Sequence, residues 1–231
     1  MLLLALAIAP GLAISLYFIF RRRYDREPLP YLLACFLLGI ISTIPPLGIQ
    51  LAAASVKAGI GRHSVWSYAW FAFVIVGLSE EASKFIMLRY YAYPKKEFSD
   101  PFDGIIYCVM IGMGFATVEN IEYVERFGVG VGISRFFLAV PAHASFAVLM
   151  GYNVGLAKWY PQKAVWLMAR GLLVAVLFHG SFDFFLNLQQ NDQIRQSVSQ
   201  GLLSFGAFAT FYVAIRLAMR TIRAQRRRLD E

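Results

Sequence analysis

The sequence predicts an all-α protein, a polytopic bundle of transmembrane helices. Of its 231 residues, 58% are hydrophobic and only 16% are charged, whereas a soluble globular domain is usually about 45–50% apolar and about 25% charged. The apolar residues form runs of about 20, the length that a helix needs to cross a bilayer. No polar segment is long enough to fold by itself, so residues 1–231 are predicted to form a single integral membrane domain.

Seven such runs follow one another along the chain. We predict spans at residues 2–20, 29–56, 66–90, 102–124, 133–157, 164–188 and 202–219, with a basic tail at 220–231. Pro45 and Pro46 interrupt the second run and are expected to kink or break its helix. The two cysteines, Cys35 and Cys108, lie within apolar runs and are predicted to be small core residues rather than a disulfide.

The positive charges predict how the helices are oriented. Lysines and arginines cluster after the first, third, fifth and seventh runs, at positions 21–26, 95–96, 158–163 and 220–228. The opposite loops carry only Lys57, Arg62, Arg126, Arg135 and Arg195. Because cytoplasmic loops carry the excess of these residues, we expect the N-terminus outside and the C-terminus in the cytoplasm. The clusters account for the net charge of +8, so nucleic acid is not an expected partner.

Ionisable residues also occur well inside the apolar runs, where lipid disfavours them. They lie on four successive predicted spans: Glu80, Glu81, Glu119, His143, His179 and Asp183. A charge at the centre of a membrane helix costs about 2.5–3.5 kcal/mol. Three isolated glutamates would therefore cost on the order of 8–10 kcal/mol, which rivals the whole stability of a typical domain, about 5–15 kcal/mol. Lys84 lies one turn after the acidic pair and can compensate one of its two charges.

Rows of small residues predict that these polar side chains face one another. One row, at four-residue spacing, contains Ala139, His143, Ala147 and Gly151. A second row contains Gly171, Ala175, His179, Asp183 and Asn187. Small residues let membrane helices approach closely, so both rows are expected to face the interior of the bundle. The sequence therefore predicts one buried cluster of acids and imidazoles, contributed by four helices.

This set of residue types suits a catalytic metal. Two histidines and a carboxylate are common ligands of a catalytic zinc ion that keeps one position open for water, and a further carboxylate can act as general base. Asp183 lies one turn from His179, where it can be a ligand or can orient the imidazole. The H-E-x-x-H motif of soluble zinc proteases is absent, so the ligands must come from different helices.

Four short motifs, in order and on separate spans, resemble those of a known family. They are "EEASK" at 80–84, "FATVEN" at 115–120, "HASFAVLMGYNVG" at 143–155 and "HGSFD" at 179–183. With them the chain resembles the PrsW family of intramembrane proteases, which is related to the superfamily of the CAAX prenyl endopeptidases and bacteriocin-processing enzymes. The resemblance covers about residues 72–187.

The resemblance implies an integral membrane protease of the bacterial inner membrane, with a single-span membrane protein as its substrate. The family is linked to site-1 cleavage of membrane-anchored anti-sigma factors in stress signalling, on the outer side of the membrane. It implies that Glu80 and Glu81 are the catalytic acids, and that a metal ion, expected to be zinc, is held by Glu119, His143 and His179. Three further residues are implied as ligands or as groups that support them: Lys84, Asn120 and Asp183.

Two departures from the pattern of the wider superfamily leave the mechanism open. Where the prenyl endopeptidases have F-x-x-x-H, this chain has Phe115 and Glu119, and where they have H-x-x-x-N it has His179 and Asp183. A mechanism in which glutamate and histidine activate water without metal therefore remains an alternative.

Two other functions are compatible with a buried cluster of acids and histidines. A proton-coupled transporter or channel would use these residues as a proton relay. Transporters, however, often contain internal repeats, and this sequence shows no clear repeat. A non-catalytic membrane scaffold would use the polar cluster to hold helices together, but it would need fewer acids than are present.

Overall fold

All regular secondary structure in the described part of the chain is helical. The computed structural model describes residues 2–20, 28–57 and 64–230, and these ranges contain ten α-helices and no β-strand. The predicted all-α class is therefore confirmed. The first basic cluster, Arg21 to Arg26, lies outside the described residues, as does Arg62.

The helices follow one another with short connections. They are α1 (Leu2–Phe20), α2 (Leu29–Ile41), α3 (Ile44–Lys57), α4 (Val65–Trp70), α5 (Ser79–Met87), α6 (Pro101–Phe137), α7 (Ala139–Trp159), α8 (Ala164–Leu188), α9 (Asp192–Ser197) and α10 (Gln200–Asp230). Two π-helical segments, Phe71–Leu78 and Leu88–Ala92, flank α5, so residues 65–92 form one continuous helix. Pro45, where a kink is predicted, lies in the first turn of α3, just after the break that separates α3 from α2.

Five segments of the described chain are long and apolar enough to cross a membrane. They are Leu3–Phe20, Leu29–Ala53, Pro101–Trp159, Pro161–Leu188 and Gln200–Arg228. The third comprises 59 residues and contains both α6 and α7. The predicted span at 66–90 is helical but is not among the five. The number of seven spans and the orientation of the termini therefore stay predictions.

A glycine turns the chain back within the 59-residue segment. Gly128 has φ of +79° and ψ of −166°, a backbone conformation that favours glycine. Beyond it, residues 129–137 run back along the preceding helix, so that a Cβ on Gly132 would lie 3.0 Å from the Val124 side chain. The predicted loop between the fourth and fifth spans, 125–132, contains this turn. Residues 129–137 then continue through Leu138 into α7, which packs antiparallel to the first part of α6.

Helix α6 forms the centre of the bundle. Every residue from Phe102 to Thr117 is buried, as expected for a helix with neighbours on all sides. The helix packs against α1, α2, α5 and α7. Two glycines bring α2 and α6 into direct backbone contact: a Cβ on Gly39 would collide with the carbonyl of Ile111, and one on Gly114 with the carbonyl of Phe36.

Replacing Gly114 by alanine is expected to lower the free energy of unfolding by about 1–3 kcal/mol, because the added methyl group overpacks the contact with α2. The measurement is thermal unfolding in mild detergent. Gly48→Ala, in α3, is the matched control, since no atom of the described residues lies within 4 Å of its Cβ position. That variant is expected to gain about 0.5–1 kcal/mol from its better helix propensity. Equal stability of the two variants would contradict the close packing.

Candidate active site

The predicted polar residues meet in one place in the bundle. Helix α5 contributes an acidic pair and a lysine, α6 a glutamate, α7 a histidine, and α8 a histidine and an aspartate: Glu80, Glu81, Lys84, Glu119, His143, His179 and Asp183. Most of these side chains are buried, and only Glu119 and Asp183 are partly exposed, at 18% and 23%. The close contact of α5, α6, α7 and α8 that the small-residue rows predict is therefore present.

The two consecutive glutamates of α5 point in different directions. Glu81 Oε1 lies 2.7 Å from Lys84 Nζ, one turn along the same helix. Glu80 Oε1 instead accepts a hydrogen bond of 3.1 Å from Gln50 of α3. Its other oxygen, Oε2, lies 3.6 Å from Lys84 Nζ. The local helix geometry thus gives one acid a complete ion pair and leaves the other only partly compensated.

A carboxylate fixes the ring of His179. Its Nδ1 lies 2.8 Å from Glu81 Oε1, and its ring stacks on Phe146 with centroids 5.4 Å apart. The second nitrogen, Nε2, lies 3.8 Å from Glu80 Oε2 and 3.4 Å from Asp183 Oδ2. His179 therefore presents Nε2 toward Glu80 while Glu81 holds the opposite side of the ring.

His143 has a carboxylate partner of its own. Its Nε2 lies 2.8 Å from Glu119 Oε2, and its Nδ1 lies 3.4 Å from Lys84 Nζ. The ring is perpendicular to that of His179, with centroids 5.0 Å apart. Lys84 also lies 3.9 Å from the centre of the Phe115 ring, a cation–π contact that helps to compensate its buried charge.

Glu119 connects this cluster to a contact that the sequence did not predict. Its Oε2 lies 3.0 Å from Nη2 of Arg135, a residue that the charge pattern assigned to an outer loop. Arg135 Nε donates to Asn120 Oδ1 at 2.9 Å, and Asn120 Nδ2 donates to the carbonyl of Ala7 at 2.8 Å. The glycine-rich stretch "GVGVG" at 128–132 is the sequence signal that the chain turns here and returns Arg135 to Glu119.

The cluster contains a donor set that fits a zinc ion. One ligand atom each from Glu80, His143 and His179 lie within 4.8 Å of one another. Glu80 Oε2 is buried and makes no hydrogen bond to any described residue. Its ion pair with Lys84 is long, at 3.6 Å, so this oxygen can still bind a cation. In addition, a carboxylate contacts one ring nitrogen of each histidine, as is usual for zinc-binding histidines. The ligand set that the resemblance implies contains Glu119 with the two histidines, whereas the three atoms that lie within 4.8 Å of one another belong to Glu80, His143 and His179.

A cavity of about 570 Å³ opens onto this donor set. The polar groups that line it include Gln50, Glu80, Glu119, His143, His179 and Asp183. Apolar side chains, among them Leu47, Phe71, Phe146 and Phe182, form much of the remaining wall. Ligand pockets of about 300–1,000 Å³ with a few convergent polar groups are typical of active sites. Glu81 and Lys84 are not among the lining residues and support those that are.

Comparison with known proteins gave one family and several curated relatives. A family model described as "PrsW family intramembrane metalloprotease" matches residues 27–219, a range that includes every residue of the cluster. No solved structure matches the chain significantly.

Three relatives illustrate the similarity, and each is named "Protease PrsW". The "Protease PrsW" of Geobacillus kaustophilus (strain HTA426) is 36% identical over 184 residues, which are 80% of this chain and 79% of the relative. That of Bacillus subtilis (strain 168) is 35% identical over 190 residues, 82% and 84% of the two chains. That of Clostridioides difficile (strain 630) is 32% identical over 193 residues, 81% and 80% of the two chains.

Proposed function

Because this chain belongs to the PrsW family of intramembrane proteases, we propose that it hydrolyses a peptide bond of a single-span protein in the bacterial inner membrane. The observation that carries the proposal is the position of Glu80 Oε2. This oxygen is buried without a hydrogen bond to any described residue, and it lies 3.8 Å from His179 Nε2 at the wall of the cavity. A carboxylate oxygen held in this way can bind a metal ion or a reacting water.

Glu80, His143 and His179 are the residues that would hold a zinc ion. When bound, zinc would lower the pKa of a water molecule and polarise the scissile carbonyl. Glu81 fixes the ring of His179, and Glu119 fixes the ring of His143. Glu119 also lines the cavity, where it accepts the proton of the attacking water.

These roles differ from the expected ones at three positions, Glu80, Glu81 and Glu119. The family resemblance implied that Glu80 and Glu81 are the catalytic acids and that Glu119 is a ligand. The proposal places Glu80 among the ligands because its Oε2 makes no hydrogen bond to a described residue and only a long ion pair, of 3.6 Å, with Lys84. It makes Glu81 a support for His179, because Lys84 and His179 both contact Glu81 Oε1.

Lys84 favours a second mechanism that needs no metal. Its ammonium group lies 3.6 Å from Glu80 Oε2 and 3.4 Å from His143 Nδ1, so a positive charge already stands beside two of the three donors. In this mechanism Glu80 removes the proton from the attacking water directly. His179 then donates a hydrogen bond to the oxyanion that develops on the peptide carbonyl.

We further propose that the substrate is a membrane-anchored anti-sigma factor, which the enzyme cleaves at site 1 near the outer face. The four motifs that resemble the family support this proposal. A transporter is not favoured, since the relatives that match about four-fifths of the chain are named as proteases.

Purified parent protein is expected to contain about one zinc ion per chain and to cleave at least one member of a panel of tagged single-span proteins. His179→Gln is expected to lose both the zinc and the cleavage. His63→Gln changes the chain's remaining histidine, which the sequence predicts to be a surface residue, and should leave both unchanged. Zinc is measured by mass spectrometry, and cleavage by gel shift of the tag.

The other outcomes separate the competing proposals. Cleavage that persists with a chelator and without zinc would overturn the metal and support direct action of Glu80. A parent protein that binds zinc but cleaves no substrate of the panel would contradict the proposed protease.

A further inference from the structure

We propose that Arg135 is a positioning residue of the active site, which holds Glu119 against His143. The residue lies on the short helical segment, 129–137, that follows the turn at Gly128. Its effect on turnover rests on the proposed function. Its effect on the position of His143 does not, so kcat tests the first effect and NMR of the histidine rings tests the second.

The guanidinium group of Arg135 is held from three directions. Nη2 forms an ion pair with Glu119 Oε2 at 3.0 Å but makes no hydrogen bond to a described residue, and Nε donates to Asn120 Oδ1 at 2.9 Å. The ring of Tyr123 lies 4.0 Å from the guanidinium carbon, within the range of a cation–π contact. The side chain is only 11% exposed. A cation buried to this extent needs paired partners, and these three contacts supply them.

Glu119 in turn uses the same oxygen for both of its contacts. Oε2 faces Arg135 Nη2 on one side and His143 Nε2, at 2.8 Å, on the other. Arg135 therefore determines where the carboxylate that orients His143 can lie. Because His143 is one of the three donors near the cavity, a shift of Glu119 changes the ring that takes part in the reaction.

Asn120 fixes Arg135 to a helix outside the family match. The asparagine amide donates to the carbonyl of Ala7 in α1, and α1 precedes the matched residues 27–219. Close packing keeps α1 in this place, because a Cβ on Gly11 would collide with the Thr117 side chain of α6. The first helix thus supports the active site through Asn120 and Arg135.

Only arginine can make these contacts together. Its planar guanidinium group presents several N–H donors in a fixed arrangement, whereas lysine has one compact ammonium group. Nε contacts Asn120 while Nη2 contacts Glu119. A lysine at this position would keep the charge beside Glu119 but would lose the planar arrangement that joins it to Asn120.

The test compares Arg135→Gln and Arg135→Lys with the control Arg195→Gln, whose arginine is 50% exposed and pairs with Asp192 away from the cavity. Arg135→Gln is expected to lower kcat about 10–100-fold, the usual effect of removing a group that orients a ligand, with little change in KM. Arg135→Lys should recover part of kcat. Arg195→Gln should behave as the parent.

A second readout measures the position of His143 directly. The chain has only three histidines, so their imidazole nitrogens can be followed by NMR after labelling with ¹⁵N-histidine, with His143→Gln to assign one of them. Both Arg135 variants are expected to shift the His143 signals and to leave those of His179 unchanged. If Arg135→Gln does not fold, Arg135→Lys carries both measurements.

Arg135 variants with the kcat of the Arg195→Gln control and with unshifted His143 signals would overturn the proposal. Equal shifts of His143 and His179 would also overturn it, because they would indicate a general loss of packing. If the parent cleaves no substrate, the proposed protease fails, while the His143 signals still decide whether Arg135 positions the site.

Discussion

Replacing Glu80 by glutamine is expected to lower the rate of substrate cleavage by about 10²–10⁴-fold, the range associated with loss of a positioned general acid or base. Both proposed mechanisms need the negative charge on Glu80 Oε2, either to bind zinc or to remove the proton from water. The amide has the same shape and can still accept the hydrogen bond from Gln50, so the fold should persist. The measurement is the initial rate of cleavage of a tagged single-span protein in proteoliposomes.

Glu125→Gln is the matched control for this experiment. It makes the same chemical change at an exposed position of α6, and parent activity is expected. Thermal unfolding of both variants shows whether the fold is retained. A folded Glu80→Gln protein that is as active as Glu125→Gln would contradict a role for Glu80 in either mechanism.

Replacing Lys84 by methionine is expected to have the largest effect on stability. Lys84 is 2% exposed and contacts both Glu80 and Glu81. Its loss leaves buried carboxylates without their cation, which typically costs about 3–5 kcal/mol. For a chain of this size the corresponding fall in Tm is roughly 6–20 °C. The measurement is thermal unfolding of the purified protein in detergent.

A double variant tests whether the effect comes from the unpaired charge. Combining Lys84→Met with Glu81→Gln removes both members of the closest ion pair, which are 2.7 Å apart. Replacing both partners of a buried pair is less harmful than removing one, so the double variant should be more stable than Lys84→Met alone. If the losses in stability of the single variants Lys84→Met and Glu81→Gln simply add in the double variant, the double-mutant cycle would show no coupling between Lys84 and Glu81.

The sequence contains enough information to predict that these acids and histidines meet. A buried ionisable group must find partners, and rows such as Ala139, His143 and Ala147 indicate which helix faces approach one another. The structure has both histidines within contact distance of carboxylates from other helices. This part of the site follows from the periodicity of α-helices and from the cost of burying charge.

Two details of the site depend on geometry that the sequence does not specify. The choice between Glu80 and Glu119 as the third donor depends on the rotation of each helix, and π-helical turns on both sides of α5 alter that rotation. The contact between Arg135 and Glu119 depends on the turn at Gly128. The distribution of charge along the sequence places Arg135 in a loop. It contains no information about the direction that the chain takes after Gly128.

Contacts between charged side chains also affect the number of spans that a sequence predicts. The helix at residues 65–92 carries Glu80, Glu81, Lys84 and Arg89, and it is not among the five segments that qualify by length and composition. A measure based on average hydropathy treats each charge as unpaired. The ion pair between Lys84 and Glu81 makes the helix less polar than its composition indicates.

That ion pair also matters while the protein is being made. His179, the other partner of Glu81, lies 98 residues further along the chain, so at about 5–20 residues per second it leaves the ribosome roughly 5–20 s later. Lys84 lies within the same helical turn as Glu81 and is available as soon as that turn forms. The nascent chain can therefore neutralise the buried Glu81 within α5 itself, whereas the cluster of acids and histidines stays incomplete until α8 has been synthesised.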